Sequence, residues 1–123
     1  MAMERDNEMI RDLLIQFKEK NRGFNYRIKS EKEDYHIYLL VNSGFIEAKR
    51  AVHFDDRYKK TLTFNNIVIT SAGHDFLEAA ENSTVWEKSR ETLKEKGMQI
   101  GSIPIDILIE YLKMQARKRI GLE

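Results

Sequence analysis

The sequence has no cysteine and only one proline and six glycines among its 123 residues. The lack of cysteine excludes a disulfide framework, a thiolate nucleophile and a cysteine metal site. The longest apolar run, over residues 37–41, is much shorter than the ~20 apolar residues that a membrane-spanning helix needs. The polar, acid-containing N-terminus is unlike a secretory signal. A cytoplasmic protein without a membrane segment is therefore expected.

A strong excess of one charge sign is also missing. Charged residues make up 33% of the chain, yet the formal net charge is only +1. The two signs are interspersed, which argues against a disordered acidic or basic tail. A dedicated non-specific nucleic-acid binder is usually more basic than this. The length and the hydrophobic content of 41% fit one domain that spans residues 1–123.

Apolar periodicity predicts a first helix over residues 6–19, with Ile10, Leu13 and Phe17 on one side. The segment 24–28 alternates apolar and polar residues, which predicts a short strand. A standard helix-turn-helix would have its second helix here. The interval between Gly23 and Ser30 is too short for one, so we expect that helix to be missing or reduced to a turn.

The central stretch predicts a helix followed by a β-hairpin. Ser30 is a suitable N-cap for a helix over residues 31–42, and Glu33 completes a capping box. Gly44 ends this helix, and strands are predicted over residues 45–54 and 62–69, joined by a charged tip over residues 55–60. Asn65 and Asn66 mark a point where the returning strand could be broken. This order is the second half of a winged helix.

Two or three more helices are expected after the hairpin. Thr70 caps the first, Thr84 forms a capping box with Glu87 at the start of the second, and Pro104 lies in the first turn of the last. The sequence therefore predicts an α+β fold, with a winged-helix-like part over residues 1–70 and a C-terminal helical extension over residues 71–123.

Several runs resemble one bacterial and phage family, the domain of unknown function numbered 2513. The matching segments are residues 35–40 with 44–46, residues 73–77, residues 84–88 around Trp86, and residues 5–6 with 10–14. The Thr70-x-x-Gly73 sequence is also similar to the segment that follows the wing in many winged-helix proteins. The resemblance implies a winged helix with added C-terminal helices, often encoded in phages and mobile elements. It implies no known activity and supplies no catalytic residues.

The three histidines offer the strongest candidates for ligands or general bases, but none has a zinc-binding spacing. For His36 and His74 a structural role is favoured, in which a half-buried ring donates to a backbone carbonyl. A small cluster of His36, His74 and Asp75 is the alternative. With no phosphate-binding glycine loop either, we predict a protein that is not an enzyme, has no cofactor or metal, and takes no evident small-molecule substrate.

The first functional hypothesis is binding to double-stranded DNA in a regulatory role. A winged helix would place the helix over residues 31–42 in the major groove and the hairpin on a phosphate backbone. The phosphate-contact candidates are Lys49, Arg50, Arg57, Lys59 and Lys60, and the base-contact candidates are Lys32, Tyr35 and Asn42. Against it, the same helix starts with Glu31, Glu33 and Asp34, and acids near phosphate weaken binding.

The second hypothesis is a protein-interaction or homo-oligomeric accessory module without DNA binding. Tyr35 and Leu39 share a side of the helix opposite its core stripe, and their apolar surface needs a cover. The cover would be the chain's own C-terminal helices, a second copy, or another protein. Trp86 joins these residues as an interaction candidate, although a place in the core is its favoured role.

Overall fold

A computed structural model describes residues 4 to 121, so the first three residues of the polar N-terminus and the last two residues lie outside it. Five α-helices, three strands and one short 3-10 helix follow each other along the chain. Their bounds are α1 Asn7–Lys18, β1 Phe24–Arg27, α2 Glu31–Asn42, β2 Ile46–Phe54, β3 Lys60–Ile69, α3 Ser71–Ala80, α4 Ser83–Glu95, the 3-10 helix Ile100–Ser102 and α5 Ile105–Arg119.

This is the predicted α+β class in a winged-helix-like arrangement. The three strands form one antiparallel sheet with the order β1-β3-β2, so β3 is central and β2 lies at an edge. A strand, and no helix, occupies the interval between α1 and α2, as expected. The bounds of α2 agree with the prediction, and the Ser30 hydroxyl accepts from the Glu33 N–H at 3.1 Å.

The predicted break in the returning strand is wrong, because β3 runs without interruption from Lys60 to Ile69. The turn-forming pair Asn65-Asn66 instead marks a β-bulge in a continuous strand. Asn66 has a φ of 56°, and the pairing with both β1 and β2 shifts register beside it. The extra residue lets Phe64 and Ile67 both point into the core, although they are three positions apart.

The pairing register divides the sheet into an inner and an outer face. Directly opposed residues project to the same side of an antiparallel sheet. Tyr26 and Arg50 oppose the buried Phe64, so they lie on the inner face, which packs on α1 and α2. Arg27 and Ala51 oppose Thr63 and lie on the outer face. Val52 and Phe54 follow Arg50 at intervals of two residues, so they also lie on the inner face.

The C-terminal helices share one hydrophobic core with the winged part. Arg11 on α1 donates to the Ala80 carbonyl at 2.7 Å, and Asn7 donates to the Ile100 carbonyl at 3.0 Å. Arg90 on α4 forms an ion pair with Glu8. The start of α4 differs from the prediction, since the side chain of Asn82, and not that of Thr84, caps it.

The Thr70-x-x-Gly73 sequence joins the sheet to α3. The Thr70 hydroxyl donates to the Gly44 carbonyl and accepts from the Gly73 N–H. A Cβ on Gly73 would lie 2.1 Å from the Phe45 carbonyl oxygen and 2.8 Å from a methyl carbon of Ile69. Glycine is required here because the first turn of α3 approaches the start of β2 too closely for any side chain.

Candidate nucleic-acid interface

One side of α2 is buried and the other faces solvent. His36, Ile37 and Leu40 are fully buried against the rest of the protein. The outward side carries Glu31, Tyr35, Tyr38, Leu39 and Asn42. Of these, Tyr35 and Leu39 are half-buried, and the Tyr35 ring meets the His36 ring edge-on at 5.4 Å between centroids. The predicted second side of α2 is therefore partly covered by the protein's own residues and partly open.

The acids at the start of α2 are engaged within the protein. One carboxylate oxygen of Glu33 accepts from the Tyr26 hydroxyl at 3.0 Å, and the other accepts from the Lys29 N–H at 2.9 Å. Burial and the hydrogen bond to Glu33 raise the pKa of Tyr26 above its ordinary value. Glu31 is exposed. Only one of the two glutamates therefore faces a ligand that approaches the helix start.

Asp34 and Arg50 form a bidentate salt bridge, with N–O distances of 3.0 and 2.9 Å. These hydrogen bonds raise the pKa of Arg50 and hold its guanidinium on the inner face of the sheet. Lys32, the other cation beside the helix start, lies 3.6 Å from a carboxylate oxygen of Asp6. Two of the predicted DNA-contact residues are thus paired with acids, and Arg50 is the more firmly held.

A side-chain turn shapes the tip of the hairpin. The Asp55 carboxylate accepts from the N–H groups of Arg57 and Lys59, both at 2.8 Å. Tyr58 takes a left-handed conformation with φ 61° and is 87% exposed. Asp55 therefore has a structural role, and its bonds keep the tip compact while the side chains on either side of it project outward.

The remaining phosphate-contact candidates lie together on the hairpin. They are exposed and form no salt bridge within residues 4–121: Lys49, Arg57, Lys59 and Lys60. Lys49 projects from the outer face of β2, and the other three cluster around the tip. The base-contact candidate Asn42 is exposed at the far end of α2, away from the helix start.

Sequence reasoning missed two residues on these surfaces. Arg27 projects from the outer face of the sheet, where its opposed residue is Thr63 and where Lys49 and His53 also lie. The alternation of residues 24–28 could have identified it, since Arg27 shares the polar side of β1. Tyr38 is 53% exposed on α2, one helical turn from Tyr35. This spacing could have identified it from the sequence as a neighbour of Tyr35 on the helix surface.

Trp86 is not part of any exposed face, so its selection as an interaction residue was wrong. Its side chain is only 1% exposed, and the Arg11 guanidinium lies 5.0 Å from the ring centroid. A cation over an indole ring is a favourable contact. Trp86 therefore anchors α4 to α1, in agreement with the core role that the sequence favoured.

The histidines do not form a common cluster. His36 is fully buried, and its Nε2 accepts from the Asp6 N–H at 2.9 Å while Nδ1–H donates to the Lys32 carbonyl at 2.8 Å. The structural role predicted for His36 is confirmed. His74 is exposed on α3, so the expected half-buried ring is wrong there. Across residues 4–121, no group of three or more histidine, aspartate or glutamate side chains could hold a metal ion.

The fold and this surface define a class of small α+β proteins with a winged-helix-like sheet and a basic hairpin. The chain belongs to the family described as "Hypothetical protein (DUF2513)", whose pattern matches residues 4–99. It is 27% identical over 106 residues to an uncharacterised protein of Haemophilus influenzae (strain ATCC 51907 / DSM 11121 / KW20 / Rd), a match that covers 80% of this chain and 85% of that protein. No solved structure matches it significantly. None of the helices described is long and apolar enough to cross a membrane.

Proposed function

We propose that the protein is a non-enzymatic, phage- or mobile-element-derived regulator that binds double-stranded DNA through its hairpin. The observation that carries this proposal is a group of exposed cations at the tip that form no salt bridge with any residue from 4 to 121: Arg57, Lys59 and Lys60. Neutralisation of phosphates by such side chains supplies most of the affinity in sequence-independent DNA binding. Lys49 adds a fourth cation on the outer face of the same hairpin.

The contacts at the start of α2 weaken the main objection to this role. Glu33 and Asp34 are half-buried and bonded to Tyr26, Lys29 and Arg50. Their charges are partly compensated before DNA approaches, so repulsion at the helix start is due mainly to Glu31. The same contacts hold the Arg50 guanidinium against Asp34, and we leave Arg50 out of the proposed contact set.

The proposal that the protein is not an enzyme rests on the burial and the hydrogen bonds of His36. Both of its ring nitrogens are used by backbone groups, and the side chain has no exposed surface. A general base must reach the proton that it removes. His53 and His74 are exposed, and the only bond of either ring within the described residues joins His53 to Thr63 at 3.3 Å.

The test is a fluorescence-anisotropy titration with a mixed pool of duplex DNA at two salt concentrations. We expect salt-sensitive binding by the wild type and its loss in a variant with Lys59→Glu and Lys60→Glu. The matched control carries Lys88→Glu and Lys94→Glu on α4, where both lysines are exposed. The control makes the same change in net charge, and we expect it to retain most of the affinity. Equal binding by both variants would reject the hairpin as the contact surface.

A protein-interaction role is the second candidate, and the outward side of α2 favours it. Tyr35, Tyr38 and Leu39 form an aromatic and apolar surface, and the nearby Lys32 is paired with Asp6. Tyrosine is enriched at protein interfaces because it combines a large contact area with a hydroxyl. Absence of DNA binding at low salt, together with loss of a protein complex on Tyr38→Ala, would favour this role.

A further inference from the structure

The edge of the sheet formed by β2 has unused backbone hydrogen-bonding groups. β2 pairs with β3 on one side only, and no element covers its other side within residues 4–121. An exposed edge strand is a template for pairing with another strand. Most proteins protect such an edge from pairing. The residues along β2 therefore indicate whether this edge pairs with another strand.

The phase of the hydrogen bonds along β2 identifies the free groups. In an antiparallel pair, every second residue bonds the neighbouring strand, and the residues between them point away from it. The Asp55 N–H bonds the Lys59 carbonyl at 3.1 Å, and the Ile28 N–H bonds Leu62 on the other side of β3 at 2.9 Å. Both bonds indicate the same alternation along β2 between residues that bond β3 and residues that point away from it. The free N–H and C=O groups of distal β2 therefore belong to Arg50, Val52 and Phe54.

These same residues carry the uncovered apolar surface of the sheet. Val52 is 41% exposed and Phe54 is 64% exposed, although both lie on the inner face. The start of α2 reaches only as far as Arg50, through Asp34, so the hairpin extends beyond the helix that covers the rest of this face. A second strand at the edge would cover Val52 and Phe54 and bond their free backbone groups together.

Charge complementarity indicates that the second strand is β2 of another copy. A two-fold axis perpendicular to the sheet keeps both inner faces on the same side and runs the two strands antiparallel. With Val52 opposite its own symmetry mate, Lys49 stands opposite Asp55 of the second copy, and Glu47 lies beside the hairpin tip that carries Arg57. Opposite charges in cross-strand pairs are stabilising, and each of these pairs occurs twice in a symmetric dimer.

The other registers with the same hydrogen-bond phase are less favourable. Each brings like charges together, which is destabilising. Centring on residue 50 or 51 opposes Arg50 with Arg50 or Glu47 with Asp55, and centring on residue 53 or 54 places Lys49 beside the tip cations Arg57 or Lys59. Centring on residue 53 also places Glu47 beside Lys59, so that register mixes attractive and repulsive contacts. The register centred on Val52 is the one that combines paired charges with a contact between the two Val52 side chains.

We propose that the protein forms a symmetric homodimer by antiparallel pairing of β2 with β2 of a second copy, centred on Val52. The two sheets then form one six-stranded sheet with both copies of α2 on the same side. Lys59 and Lys60 remain free in each copy. The pairing uses Lys49 and Arg57, which the proposed DNA contacts also include, but the oligomeric state is measured without DNA.

The first test is the mass of the full-length protein by light scattering across a concentration series. We expect the mass to rise from 14.5 kDa toward twice that value. Val52→Pro removes the central free N–H without breaking the bonds between β2 and β3, and proline is tolerated at such edge positions. We expect this variant to stay monomeric with an unchanged circular dichroism spectrum, while Val52→Ile still dimerises. A monomeric wild type at every concentration, or a folded proline variant that dimerises like wild type, would overturn the proposal.

A charge exchange tests the register without touching the strand backbone. Glu47→Arg and Arg57→Glu, made in separate chains, each bring like charges together in a homodimer. We expect either variant alone to associate about 30-fold more weakly, because two symmetry-related pairs turn from attractive to repulsive. An equimolar mixture restores opposite charges and should recover the dimer mass. A mixture that associates no better than its components would exclude this register.

Discussion

The buried His36 gives the sharpest stability prediction. Its ring joins the N-cap of α1 to the first turn of α2, through the Asp6 N–H and the Lys32 carbonyl. Because the Asp6 N–H can only donate, Nε2 must be the unprotonated nitrogen, and the tautomer with the proton on Nδ1 is fixed. Replacement by alanine removes both bonds and leaves a void between the two helices.

The expected loss follows from two terms. An unpaired Asp6 N–H costs about 1–3 kcal/mol, and removal of a fully buried ring adds a packing and cavity cost of about 2 kcal/mol. We therefore expect His36→Ala to lower the free energy of unfolding by about 3–5 kcal/mol. His36→Gln, which keeps an acceptor for the Asp6 N–H, should lose less.

Urea denaturation at neutral pH measures this difference directly. His53→Ala is the control, because His53 is exposed and a surface change of this kind costs no more than about 0.5 kcal/mol. If His36→Ala were as stable as His53→Ala, the hydrogen bonds described for the ring would not contribute to the fold.

Three further predictions follow from local contacts. Gly73→Ala should destabilise the protein by about 1–3 kcal/mol in the same assay, since its Cβ would overlap the Phe45 carbonyl. Tyr26 has a raised pKa, so its hydrogen bond stabilises the fold below pH ~10 and is lost as the pH rises further; in urea denaturation, Tyr26→Phe should lose less stability than the wild type as the pH rises above ~10. A double-mutant cycle with Asp34→Asn and Arg50→Gln should measure a coupling of about 0.2–1 kcal/mol, because the pair is partly exposed, and a value near zero would exclude a contribution from it.

Local signals were sufficient to predict most of the fold. Ser30 and Glu33 define the start of α2 through groups only three residues apart, and Gly44 with φ 76° defines its end. The alternation in β2 correctly separates Val52 and Phe54 from Lys49. These features depend on neighbours along the chain, so the sequence carries them directly.

The parts that sequence reasoning missed depend on contacts between distant residues. The pairing of Arg50 with Asp34 requires β2 to lie beside α2, and no spacing rule indicates it. The bulge at Asn66 is visible as a turn-forming pair but becomes a bulge only because strands flank it on both sides. The core role of Trp86 was favoured from the sequence, but its contact with Arg11 joins residues that are far apart along the chain, and no spacing indicates it.

The salt dependence of DNA affinity tests the central proposal most directly. Each phosphate contact contributes about 0.9 to the slope of log affinity against log salt concentration. If Lys59 and Lys60 both contact phosphates, Lys59→Gln with Lys60→Gln should lower that slope by about 1.8 relative to wild type. An unchanged slope, or wild-type binding that does not depend on salt, would contradict DNA recognition by the hairpin.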